Sequence, residues 1–166
     1  MKDLYIPQPP ISVQKEIVKR LDEWEATVES NQEKITKKTK KIDDIINSVE
    51  GDNISLGLVL LQITDRLSGD SIEASQYVNT DTMLQKCKGI TEFAGRVPAG
   101  SVMGFKNGDI LLSNIRPYLK KLWLASFDGG CSPDVLVFRL QDDTKYDIRY
   151  IFALLRQQDF FDYVME

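Results

Sequence analysis

From residue 17 onward, apolar side chains return at alternating four- and three-residue steps among charged and amide residues: Ile17, Leu21, Trp24, Val28, Ile35, Ile42, Ile45 and Val49. This is a heptad. Leu21, Val28, Ile35, Ile42 and Val49 take the a positions; Ile17, Trp24, Asn31, Lys38 and Ile45 take the d positions. The spacing predicts one long helix over residues 12–50, N-capped by Ser12 after Pro9 and Pro10 and stopped by Gly51. At 1.5 Å per residue it would run roughly 55 to 60 Å. Such a helix acts as a spacer, and its apolar seam calls for a partner helix. Asn31 and Lys38 interrupt the seam and set its register or orientation. Glu16 with Arg20 and Glu33 with Lys37 are i,i+4 pairs in the favourable order, each worth about 0.2 to 0.5 kcal/mol.

Before the helix, residues 1–11 read as an extended arm, Leu4, Tyr5 and Ile6, followed by a connector that Pro7, Pro9 and Pro10 keep from being helical. After Gly51 the helical period gives way to short β-rich runs broken by turn residues. Strands are expected over 56–63, within 74–78, over 101–104 at the sheet edge, and over 109–115, 122–126 and 135–140. Asn107-Gly108 and Asp128-Gly129-Gly130 read as turns. Residues 146–165 return to helical spacing, with Ile148, Ile151, Leu154 and Leu155 on the buried face. The fold class is α+β: a long coiled-coil helix pairing antiparallel, followed by a mixed α/β domain over 52–166.

Composition changes this picture little. Of 166 residues, 42% are hydrophobic and 28% charged, and no apolar run approaches a membrane span. A soluble chain without a secretion signal is expected, in the cytoplasm. Cys87 and Cys131 are the two cysteines, read as reduced packing residues, and there is no histidine, so histidine-based acid-base chemistry is excluded. No Gly-rich phosphate loop, dinucleotide fingerprint or nucleophile elbow occurs. No catalytic residue, metal or cofactor is assigned.

Charge matters through its distribution. The net charge is -4, yet residues 86–121 hold Lys86, Lys88, Arg96, Lys106, Arg116, Lys120 and Lys121 against Glu92 and Asp109, an excess of five positive charges. Within that window an extended strand would put Ile110, Leu112, Asn114 and Arg116 on one face, with Pro117 holding Arg116 extended. Asn114 and Arg116 would then project together about 7 Å apart. Asparagine suits adenine and arginine suits guanine in the major groove, while Lys120 and Lys121 suit phosphates and Tyr118 lies beside them. A second basic cluster, Lys34, Lys37, Lys38, Lys40 and Lys41, lies on the helix, where a solvated face is the plain reading.

The run Ile6-Pro7-Gln8-Pro9-Pro10-Ile11-Ser12-Val13-Gln14-Lys15-Glu16-Ile17 resembles the IPLPPLxEQxxI motif that leads into the conserved helices of type I restriction-modification specificity subunits. Likewise GDILLSNIRPYLKKLWLA and the later GGCSPDVLVFR are similar to the centre of a target recognition domain in that family. Val13 departs from the motif, where the family has glutamate. The resemblance implies two recognition domains per full subunit, each reading half of a split target in double-stranded DNA and held apart by antiparallel helices. It assigns no chemistry to the subunit. Methylation belongs to modification subunits that use S-adenosylmethionine, and cleavage to restriction subunits; both are implied partners.

This chain would supply one recognition domain and one helix, forming a homodimer through the seam. A complete half-subunit would be expected to continue past Glu166. In an antiparallel dimer, Leu4 to Ile6 would dock on the partner's recognition domain. A second reading stays open: a truncated module that does not bind DNA but dimerises, or occupies modification subunits as a decoy.

Overall fold

A computed structural model describes residues 7–166. The arm residues Leu4, Tyr5 and Ile6, and with them the expected docking, lie outside the described residues. The chain divides into a first unit ending at Val49 and a second, Glu50–Glu166.

The first unit is helix α1, Ile11–Asn47. Its N-cap is Pro10, two residues before the expected Ser12, with no side-chain cap bond. Proline suits this edge because it has no N–H to leave unpaired. Gln14 then ties the start down, its Nε2 donating to the Pro9 carbonyl at 2.7 Å. At the other end the helix stops before Gly51. The Ser48 hydroxyl donates to the Ile45 carbonyl at 2.7 Å, so that Val49, expected in the seam, falls beyond the last turn. No residue of α1 is buried; Trp24 is 71% and Val28 66% exposed. The Glu16–Arg20 and Glu33–Lys37 pairs do not close. The two ion pairs among the described residues are Asp109–Arg139 and Asp147–Arg149. Exposed pairs gain little Coulomb energy in water against the entropy of holding two long side chains.

In the second unit, eight strands form two four-stranded sheets. One has the order β1 (Leu60–Ile63), β8 (Val135–Leu140), β5 (Ile110–Ser113), β6 (Leu122–Leu124), all antiparallel. The other has the order β2 (Arg66–Ser68), β4 (Ser101–Phe105), β7 (Gly129–Cys131), β3 (Tyr77–Val78), with β3 parallel to β7. Two helices follow, α2 (Ile148–Leu155) and α3 (Gln158–Met165). They are two short helices where the sequence suggested one helical stretch.

Strand β5 shows why the unit has layers. All four of its residues are buried, so each face must be covered. Leu111 joins Ile63, Met103, Phe105, Trp123, Val135 and Val137 in a core shared by the two sheets. Ile110 and Leu112 turn the other way, against Val59, Leu60, Leu122, Ile151, Leu155 and Phe161. The order is therefore sheet, sheet, helices. Of the expected face of α2, Ile151 and Leu155 are buried and Ile148 and Leu154 partly so.

Several strand expectations shift. Leu56–Leu58 is a turn of 3-10 helix and the strand begins at Leu60. Ala74–Gln76 is also 3-10, and the strand expected within 74–78 is β3, Tyr77–Val78. Strand β4 lies between β2 and β7 and not at an edge. Strand β2 was not anticipated, and Gly129 and Gly130 are strand residues of β7. Glycine is required at position 129 because a Cβ there would sit 2.1 Å from the Gln76 carbonyl oxygen. Asn107-Gly108 is a turn as expected, Gly108 having φ +89°. It carries the chain from one sheet to the other.

No described helix is long and apolar enough to cross a membrane.

Candidate nucleic-acid interface

Four non-glycine residues among those described have positive φ, and all four sit in two adjacent loops: Lys86 (58°), Cys87 (54°), Arg116 (52°) and Lys120 (51°). Each costs an L-residue roughly 1 to 2 kcal/mol, so tertiary bonds must hold them. Those bonds join the loops. The Lys86 N–H donates to the Leu119 carbonyl at 2.9 Å, and the Cys87 N–H to the Lys120 carbonyl at 2.8 Å. Within the second loop, Pro117–Leu119 forms one 3-10 turn with left-handed residues at both ends. Leu119 and Lys120 donate back to Arg116 and Pro117 at 2.9 and 2.8 Å.

This geometry corrects the extended reading of the segment. Strand β5 ends at Ser113, whose hydroxyl donates to the Ile115 carbonyl at 3.0 Å and turns the chain. The Asn114 N–H goes to the Asp134 carbonyl at 2.8 Å. Proline disfavours the right-handed helical region at the residue before it, but Arg116 answers by going left-handed and not by staying extended. Asn114 and Arg116 therefore do not alternate along one strand face. Both are exposed.

The candidate side chains fall into three groups. Lys86, Lys88, Arg116 and Tyr118 are exposed on the two joined loops, Tyr118 at 62%. Lys120 and Lys121 are half-buried and already engaged: Lys120 Nζ donates to Gln158 Oε1 and lies 5.5 Å from the Phe161 ring centroid, while Lys121 Nζ donates to the Thr80 carbonyl. Arg96 and Lys106 are exposed on other segments. Arg96 follows Phe93, which packs edge-on to Tyr77 at 5.0 Å, and Lys106 sits in the turn before Asp109.

One basic residue near the loops lies outside the window found in the sequence. Arg156, at the end of α2, is close enough to Cys87 to act on its thiol: burial pushes that thiol up, and Arg156 and Lys120 pull it partly back. Arg156 is distant from residues 86–121 along the chain, and only the packing of α2 brings it there.

No family model matches the chain. The chain is 43% identical over 47 residues to the type I restriction enzyme EcoDI specificity subunit of Escherichia coli, covering 28% of this chain and 11% of that protein. The HsdS subunit from Thermoanaerobacter tengcongensis aligns with TM-score 0.42 and 13% identity, covering 91% of this chain and 43% of that one. A structure described as the basis of complex assembly and conformational transition of the type I R-M system aligns with TM-score 0.34 and 15% identity, covering 93% and 45%. The chain spans less than half of each of these proteins. Through the matched segment and its own motifs, part of this chain is related to the specificity subunits of type I restriction enzymes.

Proposed function

We propose that the chain recognises double-stranded DNA as one half of a type I specificity subunit, placing modification and restriction subunits on a split target and doing no chemistry itself. The observation that carries this is the pair of joined loops, residues 84–89 and 114–120. They hold exposed Lys86, Lys88, Arg116 and Tyr118 in a geometry that four left-handed residues make specific. Cations on a rigid frame suit phosphates, and a guanidinium with an aromatic beside it suits base edges. Asn114 adjoins this surface; Arg96 and Lys106 extend the positive potential around the domain, as does Arg156.

In this reading α1 is the spacer and the interface. Ile17, Leu21, Trp24, Val28, Ile35, Ile42 and Ile45 are all exposed in the single chain, and pairing two copies antiparallel buries them while placing one recognition domain at each end. Asn31 and Lys38 fix the register. The cytoplasm, where the DNA is, is the compartment this function requires.

The test is selection of bound duplexes from a randomised library by the full chain with its modification subunit. Enrichment of one defined half-site, repeated across a fixed gap, is expected. A complex that forms with the modification subunit but enriches no sequence would instead establish the interaction or decoy role.

A further inference from the structure

Lys120 sits at the C-terminal end of the basic window, where its charge would suggest a phosphate contact. Its surroundings assign it other work. Its backbone is left-handed, its N–H donates to Pro117, and its carbonyl accepts both the Cys87 N–H at 2.8 Å and the Cys87 thiol at 3.4 Å. Its side chain leaves the loop for α3, where the ammonium meets Gln158 Oε1 and the face of Phe161, a ring with no exposed surface. One residue thus joins the 116–120 loop, the 84–89 loop and the last helix. An ammonium held on a buried ring and an amide oxygen has given up directions it would need to follow a phosphate.

We propose that Lys120 is a positioning residue: it locks the loop that carries Arg116 and Tyr118 onto α3, and does not itself bind the DNA backbone. The purpose of the lock rests on the DNA-recognition reading above; the lock itself does not. Gln158 makes the distinction measurable, because it is neutral and neutralises no phosphate. If Lys120 acts through α3, removing either partner must have the same effect.

The experiment compares Lys120→Ala, Gln158→Ala and Lys120→Arg in the full chain with its modification subunit. Hydrogen exchange at the Lys86 and Cys87 amides, which bond to the 116–120 loop, reads the lock without DNA. Both alanine variants are expected to speed that exchange about tenfold, and Lys120→Arg, which keeps a cation over Phe161, to restore protection. On the duplex library both alanine variants should narrow the preference for the best sequence about tenfold, with an unchanged slope of log affinity against log salt. A slope smaller by about 0.9 for Lys120→Ala alone, with preference intact, would mark an ordinary phosphate contact and overturn the proposal. So would native exchange at both amides in both alanine variants. If the wild-type complex enriches no duplex, the DNA-recognition reading fails, and the exchange measurement still decides the lock.

Discussion

Arg139 in β8 grips Asp109 with two parallel bonds, Nε to Oδ1 and Nη2 to Oδ2, both 2.7 Å, across the turn where the chain passes between the sheets. The Asp109 side chain is 2% exposed and also accepts the Lys106 N–H at 2.7 Å. The arginine side chain keeps 30% of its surface in water. The Asp109 hydrogen bond is the main cause holding the Arg139 guanidinium above its ordinary value. Its partner, lacking access to water, depends on it more than the reverse.

That asymmetry predicts unequal mutants. Arg139→Met leaves a buried carboxylate with only the Lys106 N–H as donor and should cost about 3 kcal/mol, the low end for a broken buried pair. Asp109→Asn keeps an acceptor for the Lys106 N–H and lets the arginine rehydrate, so it should cost less. Urea unfolding midpoints measure both. Equal losses would show that the turn, and not the charge, is what matters.

The thiols should be silent in the native state. Burial pushes Cys131 up to about 12 and raises Cys87 as well. A thiolate reagent at pH 8 should therefore label neither until denaturant is added. The linkage has a definite sign: stability from these thiols is intact below the unfolded thiol value of about 8.5 and declines as pH rises toward the folded values. Rapid labelling of Cys131 without unfolding would contradict its burial between β7 and the core.

Arg116 and Lys86 should differ in what they read. Arg116→Gly suits the left-handed backbone and should not lower thermal stability, yet it should cost about 1 to 3 kcal/mol on the preferred duplex and relax one base position. Lys86→Ala should weaken every sequence alike and lower the salt slope by about 0.9. Uniform loss for Arg116→Gly would deny it a base contact.

The seam of α1 predicts an oligomer. With Val28 and Ile35 66% and 54% exposed in the single chain, Val28→Asp combined with Ile35→Asp should convert a dimer to a monomer in analytical ultracentrifugation. A dimer that survives both charges would place the interface elsewhere.

The sequence by itself determined the long helix, the turn at Asn107-Gly108 and the strands β5, β6 and β8. Each follows from a local rule: a heptad period, a residue pair suited to positive φ, or an apolar run covered on both faces. It also concentrated the basic residues and carried the family motifs. Tertiary structure decided the rest. Gly129 has no side chain to announce a strand, and only the approach of the Gln76 carbonyl shows why nothing larger fits. Arg116 obeys its proline either extended or left-handed, and bonds from residues 86 and 87 to the loop after it select the second. Lys120 and Lys121 look alike beside Arg116 in the sequence. Gln158, Phe161 and Thr80, all distant along the chain, take their ammonium groups, because a charge's neighbours are set by packing and not by sequence order.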